Sequence, residues 1–329
     1  MVRHLVVITF IAAMAAAPVL SCAFHGYTPI PTMVERLMSS SSIVLARSHA
    51  ETPFRFTDVR VLSGAAEEAV IPHMVDSKTR AFFKKSPEAR VLFAKDSQTG
   101  AWVRLVNVDH DMHRVLRQIL AHLVDWKEGD TAGRAAFFAA LLDEENSELH
   151  NLALGELDLL DYSTFRELAL QVDTKRILSR IHVVGETNLK PVRVLLLGLS
   201  EEVGLRAFLE EGVRANARSD GPMLGAYAIA LMEYEGRAAV DWLVRTQLTS
   251  QAVSAQALSV LVGAMALHHG AGSEEVGAAI RENLARVAIV DARISGLVNS
   301  HFALGIDPKT SPHFMTLETV SRLSSSKKF

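Results

Sequence analysis

The stretch Val115-Leu116-Arg117-Gln118-Ile119-Leu120-Ala121-His122-Leu123 decides the fold class of this chain. Val115, Leu116, Ile119, Leu120 and Leu123 recur at the spacing of one helical stripe, and Arg114, Arg117, Gln118 and Asp125 lie off it. Toward the C-terminus the same periodicity returns again and again. Ala135–Leu142 is apolar nearly all round and follows Asp130 or Thr131 as cap. A third helix, opened by Ser147, puts Leu149, Leu152, Ala153, Leu157 and Leu160 inward and Glu148, Glu156 and Asp158 outward. Further helices are expected over 164–172, 174–184, 189–199, 203–217, 222–232, 236–248, 252–268, 273–288 and 292–304. Pro222 suits a first helical turn, and Gly129, Gly185, Gly221, Gly270 and Gly305 punctuate the ends. The connecting loops are short, which forces neighbouring helices antiparallel and predicts a stack of helical hairpins.

Toward the N-terminus the pattern changes. Pro29, Pro31, Pro53, Pro72 and Pro87 all fall between Phe24 and Val108, whereas only Pro191 and Pro222 interrupt the longer stretch from Asp109 to Gly305. Proline spoils helix interiors, so the shift separates a strand-containing region, 24–108, from a helical one, 109–305. In the first region Ile43-Val44-Leu45-Ala46 reads as a buried strand. Phe54–Leu62 alternates with a phase slip near Asp58, which predicts a strand with a bulge. Val91–Ala94 and Trp102–Val106 flank Asp96-Ser97-Gln98-Thr99-Gly100 and predict a hairpin; Val34–Met38 reads as one or two helical turns. Four or five short strands suit a small antiparallel sheet or barrel. In the tail, 306–329, Met315, Leu317, Val320 and Leu323 predict one last amphipathic helix.

Phe137-Phe138-x-x-Leu141-Leu142-Asp143 followed by His150-x-x-Ala153-x-x-x-Leu157 resembles one HEAT-type repeat. Met223-Leu224-x-Ala226-x-Ala228-x-Ala230-Leu231 followed by Gly236-x-Ala238-Ala239-x-x-Trp242-Leu243 is similar to another. The resemblance implies a mostly α protein, a HEAT-like solenoid over roughly residues 113–304, although the usual arginine is replaced by His150 and the period wanders. Ile43–Arg47 with Phe54-x-Phe56-x-x-Val59-x-Val61-Leu62-x-Gly64 resembles the opening strands of the OB barrel of the netrin and tissue-inhibitor-of-metalloproteinases type. That implies an OB-like front domain; the family's disulfide cysteines are missing beyond Cys22, and no inhibitory residue carries over.

The chain has 329 residues, 49% of them hydrophobic, and is long enough for one large core or two domains. Thirty-four basic against thirty-seven acidic residues give a net charge of −3, which offers no global electrostatic case for nucleic acid. Residues 1–23 read as an export signal: Arg3 precedes an apolar run from Leu5 to Leu20, shorter than a membrane span. Ser21-Cys22-Ala23 supports cleavage before Phe24; Val19-Leu20-Ser21-Cys22 supports the alternative of a lipobox, with Cys22 acylated as an anchor. A periplasmic or secreted location follows, with no transmembrane span in the mature chain. The one cysteine, Cys22, leaves no thiol for catalysis, a disulfide framework or a multi-cysteine metal site.

Asp109-His110-Asp111-Met112-His113 is the one cluster of metal-ligand residue types. His110 and His113 share a helix face with Asp109 nearby, a set that zinc or copper accepts. The competing reading has Asp111 as a helix cap beside solvated histidines. His268-His269 reads as a pair compensating a helix C-terminus, and the acidic groups at 143–148, 201–202 and 210–211 as solvated turns. Lys78, Arg80, Lys84, Lys85, Arg90 and Lys95 form the one basic stretch, either an anion-binding face for lipid head groups or an acidic partner, or the wet side of a short helix with Phe82 and Phe83 inward. No G-x-S-x-G, H-E-x-x-H or Walker sequence occurs. The expected function is an exported protein-binding or scaffold module, its partner a cell-envelope protein, without cofactor or intrinsic catalysis. The alternative is a metal-binding or hydrolytic envelope protein with its site at Asp109, His110 and His113.

Overall fold

A computed structural model describes residues 31–64 and 70–303. The export signal, Cys22 and the helix expected in the tail lie outside the described residues. Among those described, the protein is mostly helical, with a small four-stranded antiparallel sheet near its N-terminal end.

Helix α1 (Met33–Met38) opens the described chain with a capping box between Thr32 and Glu35, and leads directly into β1 (Ser40–Arg47). Then follow β2 (Asp58–Ser63), α2 (Ser77–Lys85), β3 (Arg90–Asp96) and β4 (Trp102–Val108), in the sheet order β2-β1-β3-β4. The hairpin turn between β3 and β4 forms as expected: the Asp96 carboxylate accepts from the Thr99 amide at 2.7 Å, and Gly100 supplies the left-handed residue at φ +70°. The strand expected from Phe54 starts only at Asp58. The amide of Arg55 turns back to the Thr52 carbonyl at 3.1 Å, so Phe54 and Arg55 sit in a turn, and Arg55 bridges Met74. The register shift lies across from β2, between Ile43 and Val44 of β1.

Ile43-Val44-Leu45-Ala46 is buried on both faces of the sheet, which is why it reads as a continuous apolar run and not as an alternation. Ile43 and Leu45 join Leu92, Ala94 and Val108 in the core shared with the helices. Val44 and Ala46 point the other way, with Val91 and Phe93, into a second core under Phe83 of α2. The helical core is therefore continuous across the 108/109 boundary.

Helix α3 (His110–Lys127) buries Met112, Val115, Leu116, Ile119, Leu123 and Trp126: of the stripe read from sequence only Leu120 is half-buried, and Met112 and Trp126 extend it at the two ends. It is capped by Asp109, not Asp111, and Asn146 replaces Ser147 as the cap of α5. There follow α4 (Thr131–Ala140), α5 (Ser147–Leu157), α6 (Tyr162–Glu167), α7 (Thr174–Arg180), α8 (Lys190–Gly198) and α9 (Arg206–Ser219). The chain ends its described course with α10 (Leu224–Glu235), α11 (Arg237–Leu243), α12 (Ala255–Ala271), α13 (Glu274–Ala288) and α14 (Ala292–Ala303). Pro222 precedes α10 by a turn residue and does not sit inside it, and α11 finishes in a π-turn over Val244–Leu248. The helix expected over 164–172 is the shorter α6, because Ala169 takes a left-handed φ of +45° and turns the chain away. Packing runs along two rows: α5 on α8, α8 on α10, α10 on α12 and α12 on α14 in one, α11 on α13 in the other. Short turns place α9 and α11 against α10, and α13 against α12 and α14.

The closest approach within the first row is set by Gly198, where a Cβ would lie 2.5 Å from the Cα of Ala230. Gly198→Ala has no room without parting α8 from α10, and is expected to cost about 1–3 kcal/mol. Gly296→Ala, on an exposed face of α14 with nothing within 4 Å, is expected instead to add roughly 0.5–1 kcal/mol through helix propensity. Urea midpoints of the two variants against the parent check this opposition of sign.

Candidate functional site

The residues singled out from sequence line a cleft of about 460 Å³ between the sheet and the start of α3. Asp109 is committed as a cap: its carboxylate accepts from the Met112 amide at 2.9 Å. His110, Asp111 and His113 share the wall with Arg60 and Arg90. Burial, then the charges of Arg117 and Arg60, hold the His113 imidazole below its usual pKa. Among the described residues no three His, Cys, Asp or Glu side chains gather to hold a metal ion. The structure thus brings Asp109, His110 and His113 to one cleft, but with cations beside them and not as a coordination cage.

A second constellation escaped the sequence reading. The Asp161 carboxylate caps α6 by accepting from the Thr164 amide at 2.9 Å, and this short helix carries Tyr162 and Arg166 one turn apart. Both reach Glu233 in the last turn of α10. Arg166 Nε lies 2.5 Å from Glu233 Oε1, and the Tyr162 hydroxyl donates to the same oxygen. His268 of α12 stands 3.4 Å from it through Nε2; the histidine pair falls in the last turn of its helix, as read from sequence, and His268 is buried there at 1% exposure. The ring fits there because residue 272 is glycine: a Cβ would lie 2.1 Å from His268 Nδ1. Arg166 also donates to the carbonyl of Ala271 at 2.8 Å, stitching α6 to the end of α12.

The electrostatics follow from burial. Burial alone pushes the Glu233 carboxyl up; His268, Tyr162 and Arg166 together outweigh it and hold the group below the usual carboxylate range. Burial, then the Glu233 charge, drives the Tyr162 phenol well above its ordinary value. At neutral pH the site is a carboxylate with a protonated phenol beside it. Glu233 opens on a cleft of about 480 Å³ with Ser200, Glu201 and Tyr234. Arg166 lines the adjoining cleft of about 590 Å³, with Gln171, Thr174, Ser200, Glu201 and Glu202. The Tyr234 hydroxyl donates to the Glu202 carbonyl at 2.9 Å and fixes that rim. Glu201 and Glu202 are exposed and make no ion pair among the described residues, so the joined clefts present negative charge to solvent. Other acidic residues read as solvated are not: Glu210 is buried between Arg206 at 2.8 Å and Arg214 at 2.6 Å.

A third buried group, Arg193, is 1% exposed and meets Glu186 at 2.5 Å, with Asn151 at 2.9 Å. Arg180 donates to the same Glu186, and these hydrogen bonds lower its carboxyl from 4.5 to about 2. This network lies where α5, α7 and α8 meet, beside a cleft of about 400 Å³ that includes Asn151 and Glu186.

Comparison with protein families, with curated proteins and with solved structures finds no match to this chain.

Removing the cation from a buried pair costs more than removing both members. Arg166→Met is expected to destabilise the protein by about 2–3 kcal/mol, and Arg166→Met/Glu233→Gln by clearly less; denaturant midpoints of the two variants decide. For Glu186 the folded pKa lies below the unfolded one, so its contribution is complete above pH 4.5 and fades as pH falls toward about 2. With solvent screening allowed for, Glu186→Gln is expected to remove about 1–2 kcal/mol at pH 7 and nearly nothing at pH 2. Thermal midpoints of parent and variant across that range test the sign.

Proposed function

We propose that this chain is an exported binding module: a HEAT-like stack of helical hairpins that holds a cationic segment of a cell-envelope protein, without chemistry of its own. Three features support the repeat reading. Alternate helices pack in rows, α8 on α10 on α12 on α14 and α11 on α13, the contacts of stacked hairpins, with α6 reaching past its neighbours to α10 and α12. His150, in the first repeat-like segment, is buried and bonds through Nδ1 to the Leu142 carbonyl at 2.9 Å, tying the turn between paired helices as the missing arginine would. The small residues of the second segment, Ala226, Ala228 and Ala230, are buried where α10 meets its neighbours. The leader over residues 1–23 supports export, to the periplasm or outside, or anchorage through an acylated Cys22.

The observation that carries the binding role is the acidic double cleft at the C-terminal ends of α8 and α10. Helix C-termini are negative ends, Glu233 is held ionised behind them, and Glu201 and Glu202 stand at the mouth with no ion pair among the described residues. A lysine or arginine side chain entering there gains complementary charge in a partly desolvated setting. A photo-crosslinking residue placed at Gln171, in the native host, is expected to capture one envelope protein repeatedly. Glu201→Lys/Glu202→Lys, which touches no buried contact, is expected to reduce that capture at least tenfold. Capture that is diffuse, or unchanged in the charge-reversed chain, overturns the proposal.

A further inference from the structure

We infer that the wall formed by Phe54, Met74 and the outer face of α2 docks this protein on an anionic lipid bilayer. This inference is independent of the acidic cleft and concerns the opposite sign of charge. Phe54 is 52% exposed and Met74 72%, both unusual for large apolar side chains in a protein with a continuous core. They are not on a loose loop. The Val75 amide donates to the Phe54 carbonyl at 2.9 Å, and Arg55 pairs with Met74 in an isolated bridge, so two short segments hold the side chains outward together. Beneath them Phe56, Ile71, Val75 and Phe93 form the second core, which anchors the wall to the sheet.

Cations surround this pair. The Arg80 guanidinium sits 4.5 Å from the centre of the Phe54 ring. Lys84 follows Arg80 by one helical turn on the same face, and Lys78 and Lys85 of the same helix, with Arg55, are exposed. Of these five, none forms an ion pair among the described residues. The nearby carboxylates are engaged elsewhere: Asp76 caps α2 and meets Arg104 at 3.1 Å, and Asp58 meets Arg90 at 2.8 Å. Arg47 stacks on Phe83 at 4.6 Å and donates to the carbonyls of Phe83, Ser86 and Ala89, which satisfies the C-terminal end of α2 and leaves its lysines to solvent. Glu51 and Glu88 are the other described carboxylates of this region.

The shape of the wall selects the occupant. Phe54 and Met74 keep about half and nearly three quarters of their surface in solvent, at 52% and 72% exposure, so the apolar tips project from the wall. A peptide partner needs a concave seat for its side chains; a bilayer needs protruding apolar groups at acyl depth with cations at head-group level. An aromatic ring with an arginine stacked on it, and Lys84 one turn from that arginine, supplies that layering, the lysine stem reaching from the apolar zone to the phosphates.

The test uses the full chain carrying Cys22→Ser, sedimented with vesicles of phosphatidylcholine alone or mixed with phosphatidylglycerol. The ratio of the two partition coefficients is read in parent and variants alike, because the leader, Arg3 included, is the same in each and its contribution cancels between them. The parent is expected to favour the anionic vesicles, with the preference falling as salt rises. Lys84→Ala/Lys85→Ala is expected to lower binding to them about thirtyfold, taking about fivefold for each cation lost. Phe54→Ser/Met74→Ser is expected to lower it about tenfold or more while leaving the thermal midpoint unchanged, since both side chains are largely solvated. An equal ratio for parent and both variants overturns the inference. So does retention on polyglutamate beads without preference for anionic vesicles, which would assign the wall to an acidic protein.

Discussion

A carboxylate buried at the negative end of a helix must be compensated, and much of the helical region is arranged to do so for Glu233. Its own helix, α10, offers it nothing but carbonyls. The compensation arrives from α6, a helix of six residues that would not be stable alone and is held by the Asp161 cap and by what Tyr162 and Arg166 reach. Since Arg166 also binds the end of α12, the charge fixes α6 across the C-terminal edge of two row helices at once. The cleft is a consequence: with α6 pinned there and Ala169 turned left-handed behind it, the segment from Ala169 to Val172 faces Ser200 and Glu201 across a polar space. The Thr174 and Ser200 hydroxyls close its floor at 2.7 Å.

The strand β1 plays the corresponding part at the front. A sheet with one wet face would alternate along this strand; here Ile43, Val44, Leu45 and Ala46 are all buried because helices cover one face and α2 the other. The consequence is mechanical. The wall bearing Phe54 and Met74 sits on the second core, and that core shares β1 and β3 with the first, so force or binding at the front is transmitted through paired backbone and not through a linker.

What could be read from sequence divides along the same physical lines. Helix stripes and the β3–β4 hairpin were legible because they are local: α3 buries the predicted Val115, Leu116, Ile119 and Leu123, and Asp96 and Gly100 make the turn their types imply. Boundaries were less so, since a cap depends on which of two carboxylates meets an amide, and Asp109 outcompeted Asp111 by standing one residue before the helix. The short α6 was overestimated because nothing in an alanine announces a left-handed φ. The Glu233 constellation was the least legible, being assembled from residues 162, 166, 233 and 268. Two signals pointed to it without locating it: an acidic residue directly after the all-apolar run from Leu224 to Met232, and a histidine ending a helix otherwise rich in alanine and leucine. At the Asp109–His113 cluster, ligand types adjacent in sequence spread round a helix turn: Asp109 caps α3, His110 is exposed and His113 is half-buried.

Composition speaks only for the whole chain. A net charge of −3 on 329 residues offers no global electrostatic case for nucleic acid and says nothing about local faces. Net charge, however, sums over the whole chain, whereas a ligand feels charges within roughly a Debye length of about 10 Å. At the mouth of the cleft Glu201 and Glu202, with Glu233 behind them, carry the negative charge; on the front wall Arg55, Lys78, Lys84 and Lys85 form no ion pair among the described residues. Each patch arises because arginine partners have been spent on carboxylates elsewhere, Arg90 on Asp58 and Arg104 on Asp76 at the front, Arg206 and Arg214 on Glu210 in the helices. Pairing does not remove charge from the total; it removes charge from the surface unevenly. A near-neutral chain can therefore carry two faces of opposite sign, and it is the pattern of internal pairing that decides where they lie.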